Sequence, residues 1–219
     1  MSVATENFVK AIYQFGKHIK YDTKPGTIAK KLGVSNAAAT DMAKKMDIKG
    51  LLKYEKYKEL KLTREGELMA LRVVRKHRIW ESLLFKLLDL SLHEIHREAE
   101  LLEHETSDFL ADKIHEYLGY PNFDPHGDPI PDNEGNINHI HNSITLSEAL
   151  PDKFYTITRL QSDDKDFFDF CSENGLNNGA KIKVEKQFEK TKMTKIMVDN
   201  STLLLSTNFT SLIQVINEK

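Results

Sequence analysis

The stretch Ser91–Thr106, SLHEIHREAELLEHET, has the residue spacing of an amphipathic helix. Ser91 and Glu94 form an S-x-x-E capping box, which predicts that the helix begins there. Because successive helical residues turn by about 100°, four potential metal donors fall within one narrow arc. These donors are His96, Glu100, Glu103 and His104. The pattern indicates either a metal site beside a buried face or a solvated acidic helix with two incidental histidines.

Imidazole nitrogen and carboxylate oxygen together suit a first-row divalent ion such as manganese or iron. A closed structural zinc site usually contains thiolates, and this stretch has none. The chain has a single cysteine, Cys171, which excludes an internal disulfide and most cysteine-based metal motifs. The expected cofactor is therefore a first-row divalent ion, Mn²⁺ or Fe²⁺.

The length of 219 residues fits two or three small domains, and the composition, 40% hydrophobic and 29% charged, is that of a globular protein. No apolar run approaches the length of a membrane span, and the N-terminus lacks the pattern of a signal peptide. We therefore expect a cytoplasmic protein with no membrane partner.

Charge is distributed unevenly along the chain. Residues 1–62 carry 13 lysines against 6 acidic residues, whereas residues 63–134 carry 8 basic and 16 acidic residues. A basic N-terminal part predicts a polyanionic partner, and an acidic middle predicts a cationic one.

The N-terminal part has the layout of a helix-turn-helix. A first amphipathic helix over Thr5–Phe15 is followed by a break at Lys24-Pro25-Gly26. Thr27 is the expected N-cap of a short helix that ends at Gly33, and Ser35 that of a longer one over Asn36–Ile48. Small residues at the start of the longer helix would let it enter a DNA major groove.

Residues 51–62, LLKYEKYKELKL, predict a two-stranded wing rich in lysine, which suits phosphate contact. A winged helix can also bind protein, but the positive charge favours double-stranded DNA. The candidate DNA-binding residues are Thr27, Ser35, Asn36, Ala37, Ala38, Thr40, Lys44, Lys45, Lys56 and Lys58.

The middle part is expected to be helical. A long helix after Thr63 would carry His77 and Glu81 at i and i+4, a spacing that points two donors to one side. Such a pair more often forms a surface hydrogen bond. The donors of the next helix favour a metal site in this case. Apolar residues, including Trp80 and Phe85, exceed the needs of a small core and predict a homodimer interface, or packing against the C-terminal part. A symmetric dimer would suit a palindromic operator.

In this combination of features, the chain resembles the diphtheria-toxin-repressor/MntR family of metal-dependent transcriptional regulators. The resemblance rests on the winged helix-turn-helix, RKHRIWE, HREAELLEHETSD and PHGDPIP, and it covers the chain in order. It implies a homodimer that binds a divalent ion and then DNA, repressing metal-uptake genes.

The resemblance also implies two metal sites. Glu100, Glu103 and His104 would form the primary site with a residue of the first helix. The family has Met or Asp at that position, and this chain has Asn7, beside Glu6. The implied ancillary ligands are His77, Glu81 and His96. Glutamate rather than cysteine at the position of Glu100 favours manganese over iron.

The segment 121–131, PNFDPHGDPIP, is expected to be a linker passing the metal face. Asp124 and His126 could add ancillary ligands there, or simply belong to a turn-rich connector. Beyond it, short strands over Tyr155–Leu160, Ala180–Glu185, Lys195–Val198 and Leu203–Leu205 predict a small barrel, which is SH3-like in this family. Asp163 and Asp164 open an intervening helix, where the resemblance implies a carboxylate ligand of the ancillary metal; both residues could equally be helix caps.

The predicted fold is mainly α with α+β parts. We expect a winged helix-turn-helix domain over 1–72, a helical dimerisation and metal-binding domain over 73–142, and an SH3-like small β-barrel over 143–219. The predicted function is a metal-dependent repressor of metal-ion uptake genes, Mn²⁺ first and Fe²⁺ second, and not an enzyme. A dinuclear metal phosphoesterase is the alternative from another class, and a metal-independent regulator that binds protein is a third possibility.

Overall fold

A computed structural model describes residues 2–17, 21–138, 142–162 and 164–218. Within these ranges, no helix has both the length and the apolar character needed to cross a membrane. The chain forms two compact units. The first unit comprises Met1–His77, Glu100–Ala111 and Pro131–Ile137, and the second comprises Arg78–Ala99, Asp112–Ile130 and Asn138–Lys219.

The first unit begins with the three predicted helices of the helix-turn-helix. They are α1 (Val3–Gly16), α2 (Pro25–Leu32) and α3 (Asn36–Ile48). Their apolar faces share one core in which Phe8, Ile28 and Met46 are almost fully buried. Because α1 and the two following helices bury the same core, a change in the position of α1 would move all three helices together.

The start of α2 differs from the prediction. Thr27 was the expected N-cap, but the helix begins three residues earlier than predicted, at Pro25, and Lys24 is its N-cap. Proline suits the first helical position because it has no N–H to leave unpaired and its φ is already helical. The hydroxyl of Thr27 instead donates to Asp22. The other predicted cap is confirmed, since Ser35 Oγ accepts from the Ala38 N–H at 3.1 Å.

The predicted wing is present but short. β1 (Leu52–Lys53) pairs antiparallel with β2 (Lys61–Leu62), so each strand is only two residues long. The connecting residues turn at Tyr57, whose φ of 67° lies in the left-handed region. The lysines of this loop are thereby exposed at its tip.

Three further helices follow: α4 (Arg64–Leu88), α5 (Leu92–Leu102) and α6 (Asp108–Tyr117). The capping box at the start of α5 is confirmed, because Glu94 accepts from the Ser91 N–H at 2.9 Å and Ser91 Oγ accepts from the Glu94 N–H at 3.3 Å.

The end of α5 corrects the prediction that four donors share one helical arc. The helix stops at Leu102, and Glu103 and His104 lie in the turn that follows. The hydroxyl of Thr106 donates to the carbonyl of Leu102 at 2.6 Å. In a continuing helix the backbone N–H of Thr106 would bond that carbonyl, so the side chain competes with helical propagation.

The second unit contains a six-stranded antiparallel sheet in the order β3-β8-β4-β5-β6-β7. Its strands are β3 (Ile144–Thr145), β4 (Lys153–Leu160), β5 (Lys181–Phe188), β6 (Met193–Val198), β7 (Ser201–Ser206) and β8 (Ile213–Asn217). The helix α7 (Lys165–Glu173) follows β4, and the short α8 (Thr207–Thr210) follows β7. The β-rich C-terminal part is confirmed. Among the described residues, however, the edge strands β3 and β7 do not pair, so the sheet is not a closed barrel.

The sequence missed β3 and β8. β3 has two residues, too few for a period to appear, and β8 has only five residues. Yet β8 pairs with both β3 and β4, so it is an inner strand of the sheet. On β6, Ile196 and Val198 are buried, and the residues that alternate with them are partly exposed. This two-residue period is the pattern by which the sequence predicted the other strands.

The segment around Gly127 is a tight loop held against β4. The carbonyl of His126 accepts from the Leu160 N–H at 2.8 Å, and Gly127 N–H donates to the Asp124 carbonyl at 3.0 Å. Gly127 has a φ of +88°, and a Cβ at this position would lie 2.0 Å from the carbonyl oxygen of Thr158. Only glycine allows the loop to approach the strand this closely.

We expect Gly127→Ala to destabilise the second unit more than Gly179→Ala does. Both glycines have a positive φ, but a Cβ on Gly179 would meet no atom within 4 Å. Gly179→Ala should therefore lower the free energy of unfolding only by the cost of a left-handed backbone conformation, roughly 1–2 kcal/mol. Urea unfolding measures this free energy for both variants. Equal losses for the two variants would contradict the close approach of the loop to β4.

Candidate functional site

Glu103 is the centre of a polar cluster in the first unit, hereafter the Glu103 cluster. Its members come from α1, from α4 and from the end of α5 with the following turn: Glu6, Lys10, His77, Glu100, Glu103 and His104. Glu103 is only 1% exposed. Its Oε2 lies 2.6 Å from Nδ1 of His77, and its Oε1 lies 3.3 Å from Nε2 of His104. Two imidazoles thus approach one buried carboxylate.

His104 is oriented by α1. Its Nδ1 lies 2.6 Å from Oε2 of Glu6, the distance of a strong hydrogen bond in which the ring nitrogen donates. Its Nε2 is buried and, within the described part of the chain, has no hydrogen-bond partner. A histidine that donates one N–H to a carboxylate presents the lone pair of its other nitrogen, which is the usual arrangement of a metal-bound imidazole. The buried Nε2 beside Glu103 therefore fits a divalent ion.

Lys10 also belongs to this cluster, although the sequence analysis did not single it out. Its side chain is almost fully buried, and its Nζ lies 2.7 Å from Glu100 Oε1, 2.7 Å from Glu103 Oε2 and 3.4 Å from His77 Nδ1. One signal was available in the sequence: Lys10 precedes Ala11 and Ile12 and lies four residues after Glu6 on the same helix.

Asn7, the expected first-helix ligand, is half-buried on α1, and its side chain makes no hydrogen bond with another described residue. In this structure the neighbouring Glu6 is the first-helix carboxylate that reaches His104. A role for Asn7 in metal binding stays a prediction.

Glu81 is the centre of a second polar cluster, hereafter the Glu81 cluster, which lies within the second unit. Oε1 of Glu81 lies 3.0 Å from His96 Nδ1, and its Oε2 lies 3.6 Å from His126 Nδ1. Donor atoms of Glu81, Asp124 and His126 all lie within 4.8 Å of one another. Nitrogen and oxygen donors in this number suit a first-row divalent ion. The predicted ancillary role of His77 beside Glu81 and His96 stays a prediction.

His126 is held on several sides. Its Nε2 lies 3.2 Å from the carbonyl of Leu92, to which it can donate, and its ring packs edge-on against Phe168 at 5.1 Å. Burial alone would lower the pKa of His126. The hydrogen bond and charge of Glu81, together with the charges of Asp124 and Asp128, outweigh burial and raise that pKa to about 9. The site thus already attracts positive charge.

Asp124 is buried, and burial followed by repulsion from Glu81 and Asp128 raises its pKa well above the ordinary value. Its Oδ1 accepts from the Asp128 N–H at 2.8 Å, which fixes the loop around His126. Arg78 lies 3.1 Å from Asp128 and 3.6 Å from Asp124. These contacts give Asp124 a clear structural role in addition to its place in the cluster.

Asp164 is exposed and caps α7, its Oδ1 accepting from the Asp166 N–H at 3.0 Å. The predicted helix cap is therefore present, and a metal-binding role for Asp164 stays a prediction. Asp163 lies outside the described residues.

The candidate DNA-binding residues lie on one side of α3 and in the wing. Ala39, Ala43 and Met46 bury the inner face of α3. The outer face and the preceding cap, together with the wing loop, are exposed or half-buried: Ser35, Asn36, Ala37, Ala38, Thr40, Lys44, Lys45, Lys56 and Lys58. Thr27 on α2 is half-buried and bonded to Asp22. Small residues on the outer face leave the backbone of α3 accessible to a large partner.

Three family models match the chain in succession. Residues 1–60 match the iron-dependent repressor N-terminal DNA-binding domain, residues 63–132 the iron-dependent repressor metal-binding and dimerisation domain, and residues 144–217 the FeoA domain. With the two clusters and the winged helix, they define a metal-dependent, DNA-binding transcriptional repressor. The chain belongs to the iron-dependent repressor family, and the resemblance seen in its sequence is confirmed.

Curated proteins and solved structures are both similar to the chain. The diphtheria toxin repressor of Corynebacterium efficiens is 26% identical over 189 residues, which are 82% of each protein. A structure of a manganese-dependent transcriptional repressor in complex with manganese has a TM-score of 0.90 at 27% identity, covering 98% of this chain and all of that one. ScaR with bound Zn²⁺ has a TM-score of 0.80 at 30% identity, covering 98% of this chain and 99% of that one.

Cys171 is fully buried, and burial raises the pKa of its thiol to about 12. We expect a thiol reagent such as DTNB to leave the native protein unlabelled at neutral pH and to label one thiol per chain after denaturation. Rapid labelling of the native protein would contradict this burial and would return a thiolate to the set of possible donors.

Proposed function

We propose that this member of the family is a Mn²⁺-activated repressor of metal-ion uptake genes, with Fe²⁺ as the alternative ion. The observation that carries the proposal is the buried Nε2 of His104, which faces Glu103 at 3.3 Å without a hydrogen bond. A lone pair directed at a carboxylate is unfavourable unless a cation lies near both. The donors are nitrogen and oxygen, as manganese prefers, and the sole thiol is buried elsewhere.

Glu103 and His104 would hold the ion of the Glu103 cluster, with Glu100 adjacent and the side-chain oxygen of Asn7 as the donor from α1. A bound divalent ion would supply a strong cross-link between side chains of α1 and of the turn after α5. Glu6 already orients His104 for this role through its hydrogen bond to Nδ1. Because α1 shares its core with α2 and α3, this cross-link would constrain the DNA-binding helices.

A second ion would be held by Glu81, His96 and His126, with Asp124 as an additional carboxylate. The buried Glu81 carboxylate faces both imidazoles, and the Leu92 carbonyl orients His126 by accepting from Nε2. We assign this site an ancillary role because these four residues all lie in the second unit, whereas α1 to α3 lie in the first.

Metal control of DNA binding would act through the geometry of a homodimer. Exposed apolar side chains in the second unit, among them Phe85, Leu88 and Tyr117, offer a surface for a partner subunit. Two α3 helices would then have to lie about 34 Å apart, one turn of DNA, to bind a palindromic operator. Fixing α1 would favour that spacing, and by reciprocity DNA would tighten metal binding by the same factor.

We expect Mn²⁺ to raise the operator affinity of the wild-type chain by about 5- to 150-fold, the range of typical coupling free energies. Glu103→Gln should abolish this increase because it removes the buried charge at the centre of the cluster. Fluorescence anisotropy of labelled operator DNA, titrated with Mn²⁺ or chelator, measures both affinities.

Glu105→Gln is the matched control, since Glu105 is exposed and only two residues further along the chain. It should retain the full response to Mn²⁺. Size-exclusion chromatography should find the same oligomer for all three proteins. An unchanged affinity of the wild type in chelator and in Mn²⁺ would refute metal activation.

The outer face of α3 would read DNA bases, and the wing would anchor phosphates. Asn36 and Thr40 can hydrogen-bond base edges, and the alanines between them can contact thymine methyl groups. DNA phosphates would be neutralised by Lys44 and Lys45 on α3 and by Lys56 and Lys58 in the wing. Two hydroxyl residues near the first turns of α2 and α3, Thr27 and Ser35, would face the sugar-phosphate backbone of the DNA.

We expect Lys56→Ala and Lys58→Ala each to weaken DNA binding similarly for all sequences and to reduce the salt-dependence slope by about 1. Removing one phosphate contact lowers the number of counterions released on binding. Binding isotherms at several salt concentrations give the slope. Lys190→Ala, an exposed lysine outside the winged helix, should leave it unchanged; an equal effect at this position would count against a specific role for the wing.

A gene regulator of this kind would act in the cytoplasm and would need no catalytic step. We therefore propose that the chain is not an enzyme, and that its parts correspond to a DNA-binding domain over 1–72, a dimerisation and metal-binding domain over 73–142, and an SH3-like domain over 143–219.

A further inference from the structure

The Glu103 cluster contains two adjacent positions that favour a cation. One lies between His104 Nε2 and Glu103, where this buried ring nitrogen has no hydrogen-bond partner among the described residues. The other lies between His77, Glu100 and Glu103, whose donor atoms fall within 4.8 Å of one another. This second group has the donors of a metal site, but it already contacts a cation.

That cation is the ammonium of Lys10. Its Nζ contacts all three residues of the second group, at 2.7 Å for each carboxylate and 3.4 Å for His77 Nδ1. Lys10 is 3% exposed, so water cannot replace these contacts. The ammonium thus occupies the space that an ion bound by His77, Glu100 and Glu103 would need.

The charge of the cluster supports the same conclusion. Glu6, Glu100 and Glu103 supply three negative charges, and Lys10 supplies one positive charge. One divalent ion would bring this sum to neutrality, whereas two would leave an excess of positive charge in a buried site. An uncompensated buried charge is strongly unfavourable.

We propose that the ammonium of Lys10 is a permanent, built-in cation at the His77–Glu100–Glu103 position, so that the Glu103 cluster takes one divalent ion instead of two. The inference deepens the proposed function, because it assumes that the cluster is a cation site. Lys10 also joins α1 to Glu103 in the absence of metal, since it contributes the bond that a second ion would otherwise make.

The test compares the Mn²⁺ content of the wild type and of Lys10→Met. Methionine has a similar length and no charge, and its soft thioether is a poor donor for Mn²⁺, which prefers oxygen and nitrogen, so the variant opens the position. Chelator-treated full-length proteins are dialysed against Mn²⁺, and the bound metal is measured by elemental analysis and by electron paramagnetic resonance of Mn²⁺. We expect one more Mn²⁺ per chain in Lys10→Met than in the wild type.

Two controls accompany this comparison. Lys10→Arg retains the positive charge and should keep the wild-type Mn²⁺ content. Lys17→Met removes an exposed lysine of the same chain segment, whose partner is Glu67 at 3.7 Å, and should also keep it. Equal Mn²⁺ content in Lys10→Met and the wild type would overturn the inference. A wild type that binds no Mn²⁺ would refute the proposed function, whatever the difference between the two proteins.

A second measurement needs no variant at Lys10. Reductive methylation followed by peptide mass spectrometry reports which lysines of the wild type are accessible. We expect Lys10 to remain unmodified both in chelator and in Mn²⁺, while Lys17 is modified in both. Modification of Lys10 that appears only with Mn²⁺ would mean that the ion displaces the ammonium, which would overturn the inference even if Lys10→Met failed to fold.

Discussion

The structure of the candidate site depends on the buried carboxylate of Glu103. A carboxylate that is 1% exposed loses its hydration, and it is tolerated only where positive charge or hydrogen-bond donors replace the lost water. Here the replacement comes from α1 through Lys10, from α4 through His77 and from the adjacent His104. The contacts that compensate this one charge therefore link parts of the first unit that are distant in sequence.

The two clusters solve the same electrostatic problem in different ways. In the Glu81 cluster the partners of the central carboxylate are imidazoles, and the raised pKa of His126 favours a protonated ring that compensates part of its charge. In the Glu103 cluster a lysine compensates part of the charge. A proton on histidine must leave when a metal ion binds that nitrogen. An ammonium on a separate side chain can stay while an ion binds beside it.

Much of the architecture follows from local signals in the sequence. The capping box at Ser91, the cap at Ser35 and the glycine that ends α2 each fix a helix boundary through chemistry within a few residues. The end of α5 was predicted too late because a side-chain hydroxyl, that of Thr106, competes with the helix. The inner strand β8 was missed because its pairing with β3 and β4 is a long-range property.

Helical spacing predicted the composition of the candidate sites but not their grouping, which only the family resemblance implied. The histidines and glutamates stand out in the sequence because helical spacing brings them near one another. Spacing alone, however, assigned His96 and Glu103 to one arc, whereas the structure puts them in separate clusters. Glu6 was only an alternative to Asn7, and Lys10 was assigned no role, because a charged residue on an amphipathic helix ordinarily faces solvent. Their function depends on which residues α1 meets in the folded chain, and the sequence of α1 does not contain that information.

The presence of Lys10 sets a limit on how a divalent ion could control DNA binding. A ligand shifts a conformational equilibrium only by the difference in its affinity for the two states. In a cluster with carboxylates alone, an ion would supply the whole attraction between α1 and Glu103. Here the ammonium supplies part of that attraction at all times, and only the Glu6–His104 side is left to the ion. The strength of the attraction between α1 and Glu103 should accordingly differ less between the metal-free and metal-bound forms than it would without the lysine. The response of DNA binding to metal would then depend on the chemistry of His104 and not on the total number of carboxylates.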